Sequence, residues 1–398
     1  MHILDSAGCL AYPPYLIRVW FFKESSLNKG YVKILVTKED LNTGLQTVQN
    51  VVGTRSTLPI LSNVLLVAGE NSLELRATDL EVSIHATVAA KVEREGASTL
   101  PAKRMFGLVR EIEATEIEIE INDKGIATVQ AGAAKYKLHG IGAEEYPPEA
   151  KFKESGRIKV GQGKIREMIR KTGYAVSTDE SRHTLNGIYV DVEEGKIKMV
   201  ATDGRRLALV EEEIEGGTKA KFILPTKTVS ELQRMLQSEG EMEIGVGETH
   251  AEFKIPQDNG ETVKIHSKLV EGNFPNYKQV IPAESKERIT VVKEELLHAL
   301  RRADQITSDK ANSVKLKFAD NTLSITANTP EIGSGKESIA IQYTGPEIEV
   351  AFNPVYLMDP LKILEGDEVY IELTDSLSPG VLKSNTPFLY VLMPMRTN

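Results

Sequence analysis

The segment Val160-Gly161-Gln162-Gly163-Lys164 carries the Gly-x-Gly pattern of a phosphate-binding loop, directly after a strand-like run. A loop of this kind holds phosphate on backbone N–H groups at a helix N-terminus. The segment lacks the third glycine of a dinucleotide-binding fingerprint and the Gly-Lys-Ser/Thr ending of a nucleotide-binding loop. We therefore interpret it as a turn that leads into a helix, and we predict no cofactor.

Histidine and cysteine are the usual metal ligands, and the chain has seven histidines and one cysteine. No two histidines stand at metal-ligand spacing, so we predict no histidine-based metal site. The single Cys9 excludes a disulfide framework and any cysteine-rich metal site, and it is typical of a protein of the reducing cytoplasm. The histidines are His2, His85, His139, His183, His250, His266 and His298.

Two aspartates, Asp79 and Asp203, each follow an Ala-Thr pair at equivalent places in the chain. This pattern predicts that each aspartate shapes a turn through hydrogen bonds to nearby backbone N–H groups, rather than that the two form an acid–base pair. Neither Gly-x-Ser-x-Gly nor His-Glu-x-x-His occurs in the chain. The sequence therefore predicts a protein without a catalytic site.

Length and composition limit the remaining classes of protein. The chain has 398 residues, of which 41% are hydrophobic and 26% charged, as in globular proteins. Its net charge of −9 argues against a protein that coats nucleic acid with its whole surface, but it allows one basic face on an acidic body. No apolar run reaches the ~20 residues of a membrane helix. Residues 1–31 resemble nothing later in the chain and are predicted to be an N-terminal extension.

An internal repeat organises the rest of the chain. Ala77-Thr78-Asp79 recurs as Ala201-Thr202-Asp203, at an offset of 124, and as Ala327-Asn328-Thr329, at an offset of 126. A strand-like run precedes each tripeptide, and a strand, a proline and an amphipathic helix follow it. Several landmarks at one spacing predict three modules of about 125 residues each.

Each module is itself doubled, because a second strand and helix begin 64 residues after the first in modules one and two. We predict two β-α-β-β-β units per module, with helices on one face of antiparallel sheets, and therefore an α+β fold. Proline-bearing connectors at 144–150 and 272–278 separate the modules. The predicted organisation is an extension at 1–31 and three domains at 32–152, 153–283 and 284–398.

The predicted helices are the more basic layer of the protein. Six windows, at 37–52, 101–113, 161–174, 225–238, 292–305 and 353–365, together carry 14 basic and 11 acidic residues. Strands such as 116–121 alternate Glu with Ile, which predicts an acidic, solvated outer sheet face. This bias supports weak, sequence-independent contact with phosphates and gives no sign of base-specific recognition.

The repeat breaks in two places. Gly204-Arg205-Arg206-Leu207 replaces unrelated residues of the other modules, and the chain ends with Met393-Pro394-Met395-Arg396 after an apolar run. An apolar groove edged by arginine suits a short peptide, because methionine adapts to irregular partners. The alternative is that the two methionines complete a core strand.

Four motifs resemble the bacterial DNA polymerase III beta subunit family, the sliding clamps. They are Thr57-Leu58-Pro59-Ile60-Leu61-Ser62-Asn63, Ala201-Thr202-Asp203-Gly204-Arg205-Arg206-Leu207, Lys268-Leu269-Val270-Glu271-Gly272-Asn273-Phe274-Pro275, and Val391-Leu392-Met393-Pro394-Met395-Arg396. The resemblance implies a head-to-tail homodimer closed into a ring around duplex DNA, with sheets outside and helices lining the hole. It also implies binding to the DNA polymerase III catalytic subunit, the clamp loader complex, and other polymerases and repair factors.

The resemblance assigns roles to residues of this chain. The implied partner-peptide groove comprises Arg182, Leu185, Thr202, Gly204, Arg205, Arg206, Leu207, Pro275, Val391, Met393, Pro394, Met395 and Arg396. Arg55 matches a DNA-contacting arginine, and the helix layer and its neighbouring loop add Lys103, Lys164, Arg166, His183 and Lys227. Tyr136 and Ile306 match apolar positions at the subunit interface.

Two other functions remain open from the sequence. A repeat scaffold could present the groove without encircling DNA, in which case the protein would be a monomer in solution. An enzyme would need a cluster of titratable groups that the sequence does not display.

Overall fold

The computed structural model describes residues 31–53, 58–149, 153–308 and 312–396. Module one contains β1 (Val32–Thr37), α1 (Lys38–Val48), β2 (Asn63–Gly69), β3 (Ser72–Thr78), β4 (Val82–Ala89), β5 (Lys91–Arg94), β6 (Gly96–Pro101), α2 (Ala102–Glu111), β7 (Glu116–Ile121), β8 (Ile126–Ala131) and β9 (Ala134–His139).

Module two contains β10 (Gly156–Gly161), α3 (Gln162–Thr172), β11 (Gly187–Glu193), β12 (Lys196–Thr202), β13 (Arg206–Glu213), β14 (Ala220–Pro225), α4 (Thr226–Met235), β15 (Glu241–Val246), β16 (His250–Pro256) and β17 (Thr262–Lys268). Module three contains β18 (Glu287–Val292), α5 (Lys293–Asp304), β19 (Val314–Ala319), β20 (Thr322–Thr329), β21 (Gly333–Ala340), β22 (Ile348–Phe352), α6 (Pro354–Leu361), β23 (Glu368–Leu373), β24 (Gly380–Lys383) and β25 (Phe388–Leu392).

The three modules repeat one α+β plan, which confirms the predicted fold class. Each has two helices that pack side by side and two four-stranded antiparallel sheets, to which module one adds the short strand β5. The strand that opens each unit joins the sheet of the other unit. Thus β1 pairs with β7, and β6 pairs with β2. This exchange ties the two units of a module together, and the strand pattern alone did not predict it.

Alternation along the strands places the core on one face of each sheet. In β7, Ile117, Ile119 and Ile121 are fully buried, whereas Glu116 is exposed, as the sequence predicted. Helix α1 approaches its sheet closely at Gly44, where a Cβ atom would lie 2.5 Å from Cδ1 of Leu75. The Gly161–Gly163 segment is the end of β10 and the start of α3, as predicted.

Neighbouring modules share continuous sheets. At the first seam β4 of module one pairs with β17 of module two, and at the second seam β13 of module two pairs with β25 of module three. Each seam produces one eight-stranded sheet. Two outer strands, β9 and β21, have a strand partner on one side only within the described part of the chain. Among the described residues, no helix is long and apolar enough to cross a membrane.

Candidate partner-binding groove and DNA-facing residues

The two places where the sequence repeat breaks lie side by side at the second seam. Strand β25 pairs antiparallel with β13, so that Leu207 lies opposite Val391. Beyond the strand, the backbone N–H of Met393 donates to the carbonyl oxygen of Arg205 at 2.9 Å. The turn of module two and the C-terminal segment therefore form one surface.

Local hydrogen bonds shape the turn between β12 and β13. The Oδ1 atom of Asp203 accepts from the backbone N–H groups of Arg205 and Arg206, at 2.8 and 3.0 Å. Gly204 has a φ of +85°, a conformation that favours glycine. In module one, Oδ1 of Asp79 accepts from two backbone N–H groups in the same way. The predicted turn-shaping role of both aspartates is confirmed.

An apolar cluster covers the sheet at this seam. Its buried members are Val200, Leu207, Tyr277 and Val391, and its partly buried members are Tyr189, Leu209, Phe274, Val280, Ile281 and Leu389. The rings of Tyr189 and Phe274 stack with centroids 5.0 Å apart. We did not predict most of these residues, although the aromatic connector 272–278 was a usable signal.

Arg206 joins modules two and three beneath the turn. Its guanidinium contacts Oδ2 of Asp203 at 3.0 Å and Oδ2 of Asp359 at 2.5 Å, and it donates to the carbonyl oxygen of Tyr174 at 2.6 Å. It also lies 4.3 Å from the centre of the Tyr356 ring. Because its side chain is only 10% exposed, Arg206 holds the groove in shape more than it offers charge to a partner.

The rim of the groove is more exposed than its floor. Arg182 is 55% exposed and donates to the carbonyl oxygen of Asp203 at 3.3 Å, so that it lies over the turn. Met395 is 39% exposed, and its N–H is bonded to the carbonyl oxygen of Ala351 at 2.7 Å. The other predicted groove residues comprise the buried Leu185, the half-buried Thr202, Met393 and Pro394, and the exposed Arg205, Pro275 and Arg396.

A polar cavity of about 310 Å³ opens beside the turn. Its lining includes three predicted groove residues, Arg182, Arg205 and Arg206, and the acidic Asp179 and Asp203, together with Tyr174 and Tyr356. Salt bridges join Arg182 to Asp179 and Arg206 to Asp203, so the cavity is of mixed charge. The apolar cluster and the exposed rim suit an extended peptide that carries apolar side chains.

The predicted DNA-facing residues differ in their surroundings. Lys103 and Arg166 are exposed on α2 and α3, and His183 is exposed in the turn before β11. The ammonium of Lys164, in contrast, donates to the carbonyl oxygen of Glu213, and that of Lys227 pairs with Asp79 across the first seam. These two cations are already engaged within the protein. Arg55 lies outside the described residues.

The two predicted interface residues lie beside the open strand edges. Tyr136 is 42% exposed in β9. Ile306 follows α5 and is half-buried, and its carbonyl oxygen accepts from Oγ1 of Thr329 at 2.6 Å. Its side chain packs near Gly335 of β21.

Two of the histidines lie closer together in the structure than their separation in the sequence suggested. His85, Glu149 and His266 each offer a ligand atom within 4.8 Å of the others. They come from β4, the first connector and β17, so no local spacing could have revealed the group.

Comparisons with known proteins agree with this architecture. Family models of the DNA polymerase III beta subunit match over the whole described region: the N-terminal domain at 32–150, the central domain at 159–276 and the C-terminal domain at 278–396. The beta sliding clamp of Chlamydia muridarum is 33% identical over 367 residues, which is 92% of this chain and 99% of that protein. The beta sliding clamp of Bacillus subtilis is 29% identical over 382 residues, covering 92% of this chain and 100% of that protein.

Solved structures show the same fold. The sliding clamp (DNA polymerase III subunit beta) from Bartonella birtlesii, bound to griselimycin, is 33% identical with a TM-score of 0.88, covering 92% of this chain and 100% of that one. The fold and these comparisons thus define a sliding clamp, a non-catalytic processivity factor for a DNA polymerase. The chain belongs to the bacterial DNA polymerase III beta subunit family.

Proposed function

We propose that two copies of this chain close head to tail into a ring around duplex DNA, with the sheets outside and the helices lining the hole. The ring slides on DNA in the cytoplasm and tethers partner proteins through the groove at the second seam. The observation that carries this proposal is the pairing rule at the two seams.

That rule is the same at both seams. The last strand of a module's first unit pairs antiparallel with the last strand of the next module's second unit. It joins β4 to β17 and β13 to β25. The rule leaves β21 of module three and β9 of module one as the strands to be joined. In the part of the chain that the structure describes, these two strands do not pair with each other. A second copy is therefore the natural partner for each, and head-to-tail pairing of two copies closes the assembly.

The side chains of the two edges can support that pairing. Strand β9 exposes Tyr136 between Lys135 and Lys137, and β21 carries Lys336 and Glu337, of which Glu337 is paired with Arg302. Open strand edges are templates for pairing with another chain. An exposed tyrosine and the half-buried Ile306 can supply the apolar contact that backbone pairing alone lacks.

Contact with DNA in such a ring is sparse. We assign phosphate contacts to Lys103, Arg166, His183 and Arg55. The ammonium groups of Lys164 and Lys227 have protein partners, which they would have to leave in order to contact DNA. A few mobile contacts let the ring slide, while the closed topology prevents its loss. Processivity then depends on the topological linkage between the ring and DNA more than on the affinity of the ring for DNA.

The groove gives each partner a weak tether. Short linear segments of the DNA polymerase III catalytic subunit, the clamp loader complex, and other polymerases and repair factors would place apolar side chains beside Leu207 and Val391. Each tether gains strength because partner and clamp share one DNA molecule, which raises their effective concentration. Because each partner binds the groove with modest affinity, one partner can replace another.

Retention on DNA tests the ring directly. The protein is loaded onto a nicked circular plasmid, one half of the sample is linearised, and both halves are passed through a sizing column in high salt. We expect the circular half to keep the protein and the linear half to lose it. Equal loss from both, together with a monomer in sedimentation, would instead support a scaffold that does not encircle DNA.

A further inference from the structure

The first seam contains a counterpart of the groove that is built from different side chains. Along β4 and β13, the offset of 124 places Ser83 at the position of Leu207 and His85 at that of Leu209. The strands pair in equivalent register at the two seams. Leu209 lies opposite Leu389 at the second seam, and its counterpart His85 lies opposite Lys264 at the first. A groove thus occurs twice in the fold, once at each seam.

The side chains at the two seams differ in chemistry. His266 lies opposite Ser83 where Val391 lies opposite Leu207. The two connectors repeat at an offset of 128 residues, so Glu149 in the first connector is the counterpart of Tyr277 in the second. Positions that form an apolar patch at the second seam therefore hold two imidazoles and a carboxylate at the first.

These three groups converge beside a cavity. Nε2 of His266 lies 2.8 Å from Oε1 of Glu149, and one ligand atom of each of His85, Glu149 and His266 lies within 4.8 Å of the others. His85 is 6% exposed. A cavity of about 290 Å³, lined in part by His85 and Glu149, opens here to the surface.

Neighbouring groups orient the ligands. Nδ1 of His85 faces Oε1 of Glu74 at 3.4 Å, and Arg76 holds Glu74 through bonds of 2.8 and 2.9 Å. A carboxylate that fixes one nitrogen of a histidine directs the other nitrogen towards a metal. Glu252 adds a further oxygen, 3.3 Å from Nε2 of His266.

We propose that the first seam binds one divalent transition-metal ion of the Zn²⁺ class, with His85, Glu149 and His266 as ligands. Two imidazoles favour such an ion over Mg²⁺ or Ca²⁺, which prefer oxygen ligands. Glu252 or a water molecule completes a tetrahedral set. The ion would link module one, the connector and module two.

Binding requires a small local contraction. Bonds of ~2.0–2.2 Å bring tetrahedral ligand atoms to about 3.4 Å from one another. The ligand atoms lie within 4.8 Å of one another, so the widest separation must shorten by up to about 1.4 Å. Glu149, which is exposed in the connector, can supply this movement. Arg76 lies 3.9 Å from Glu149 and opposes the added positive charge. We therefore expect micromolar affinity for Zn²⁺.

Zinc titration tests the proposal. The full chain, stripped with a chelator, is titrated with Zn²⁺ against a chromophoric competitor, and its thermal midpoint is followed with and without the ion. We expect one saturable site per chain, a higher midpoint with Zn²⁺, and X-ray absorption showing two imidazole ligands. His266→Gln should weaken binding at least about tenfold and remove the shift in midpoint.

The controls separate this site from adventitious binding. His298→Gln removes an exposed histidine that lies 3.8 Å from Glu294, and it should leave the titration unchanged. Glu149→Gln, at an exposed position, provides a second ligand variant if His266→Gln fails to fold. Absence of a saturable site, or equal weakening by His298→Gln, would overturn the proposal. Neither result bears on retention of the ring on DNA.

Discussion

Arg206 of module two and Asp359 of module three form an ion pair across the second seam, with Nη1 and Oδ2 2.5 Å apart. The side chains are 10% and 19% exposed, so solvent screens this pair little. The same guanidinium holds Asp203, whose other oxygen shapes the turn of the groove. One arginine therefore couples the packing of two modules to the shape of the binding surface.

Replacement of Asp359 by Asn should affect both properties. Because a largely buried arginine loses its counter-charge, we expect the free energy of unfolding to fall by about 2 kcal/mol. A short linear peptide of the polymerase catalytic subunit that occupies the proposed groove should bind about tenfold more weakly, since the turn loses its support. Urea unfolding and fluorescence anisotropy measure the two effects. Lys362→Gln, which removes an exposed partner of the same aspartate, is the matched control and should change neither.

The C-terminal rim of the groove should contribute directly to peptide binding. Met395→Ala removes a 39% exposed apolar side chain, so we expect the peptide affinity to fall several-fold while the unfolding midpoint is retained. Leu80→Ala removes a more exposed leucine in module one, outside the second seam, and serves as the control. Equal affinity of the Met395 variant and the original chain would place the binding surface elsewhere.

Assembly should depend on the open edge of β9. Tyr136→Arg replaces the exposed aromatic ring by a cation between Lys135 and Lys137, and we expect the dimer to dissociate in sedimentation velocity experiments because the apolar contact is lost and a charge would be buried at the edge. Thr262→Arg places the same side chain at an exposed position of the internal strand β17 and should leave the dimer intact. Dimers in both variants would contradict pairing through β9.

Replacing glycine by alanine should have opposite effects on stability at Gly44 in α1 and Gly107 in α2, because only Gly44 is closely packed. Gly44→Ala would bring Cβ to 2.5 Å from Leu75 and 2.9 Å from Val88, so we expect destabilisation of about 1–3 kcal/mol from overpacking. Gly107→Ala in α2 meets no atom within 4 Å and should stabilise by about 0.5–1 kcal/mol through helix propensity. Urea unfolding of both variants provides the comparison. A stabilised Gly44→Ala protein would show that the sheet yields easily at this point.

Acid should destabilise the first seam in two stages. Burial lowers the pKa of His85 below 6.5, so the unfolded chain takes up its proton first and stability begins to fall below that pH. The pKa of Glu149 is about 2 against 4.5 for an ordinary glutamate, so its contribution is full above 4.5 and is lost as the pH falls towards 2. The other charged groups facing them are Glu74, Arg76, Glu252 and His266.

Urea midpoints between pH 7.5 and 3 measure this loss, and Glu149→Gln should reduce the second stage because its side chain no longer titrates. Part of that stage remains, because Glu74, whose pKa is lowered to about 2 against the effect of burial by its hydrogen bonds to His85 and Arg76, still titrates. His298→Gln serves as the reference variant, since its histidine is exposed on α5. Stability that rises on acidification would contradict the assignment of both groups.

The internal repeat was sufficient to predict the modules, the helices and the turn-shaping role of Asp79 and Asp203, because each of these is local and recurs at a fixed offset. The pairing of β13 with β25 was not predictable in the same way, since alternation identifies a strand but not its neighbour. The ion pairs of Lys227 and Arg206 also escaped prediction because their partners come from another module. Contacts across a seam form only when two modules pack together, so local sequence patterns do not predict them.

Continuous sheets at both seams stiffen the contact between neighbouring modules of one chain. Bending at a seam would stretch a row of backbone hydrogen bonds between two modules, whereas β9 and β21 have no such row to another module within the described part of the chain. In the proposed ring, the junctions between subunits also lack the covalent connector that spans each seam, so a loading machine that parts the ring would open it there.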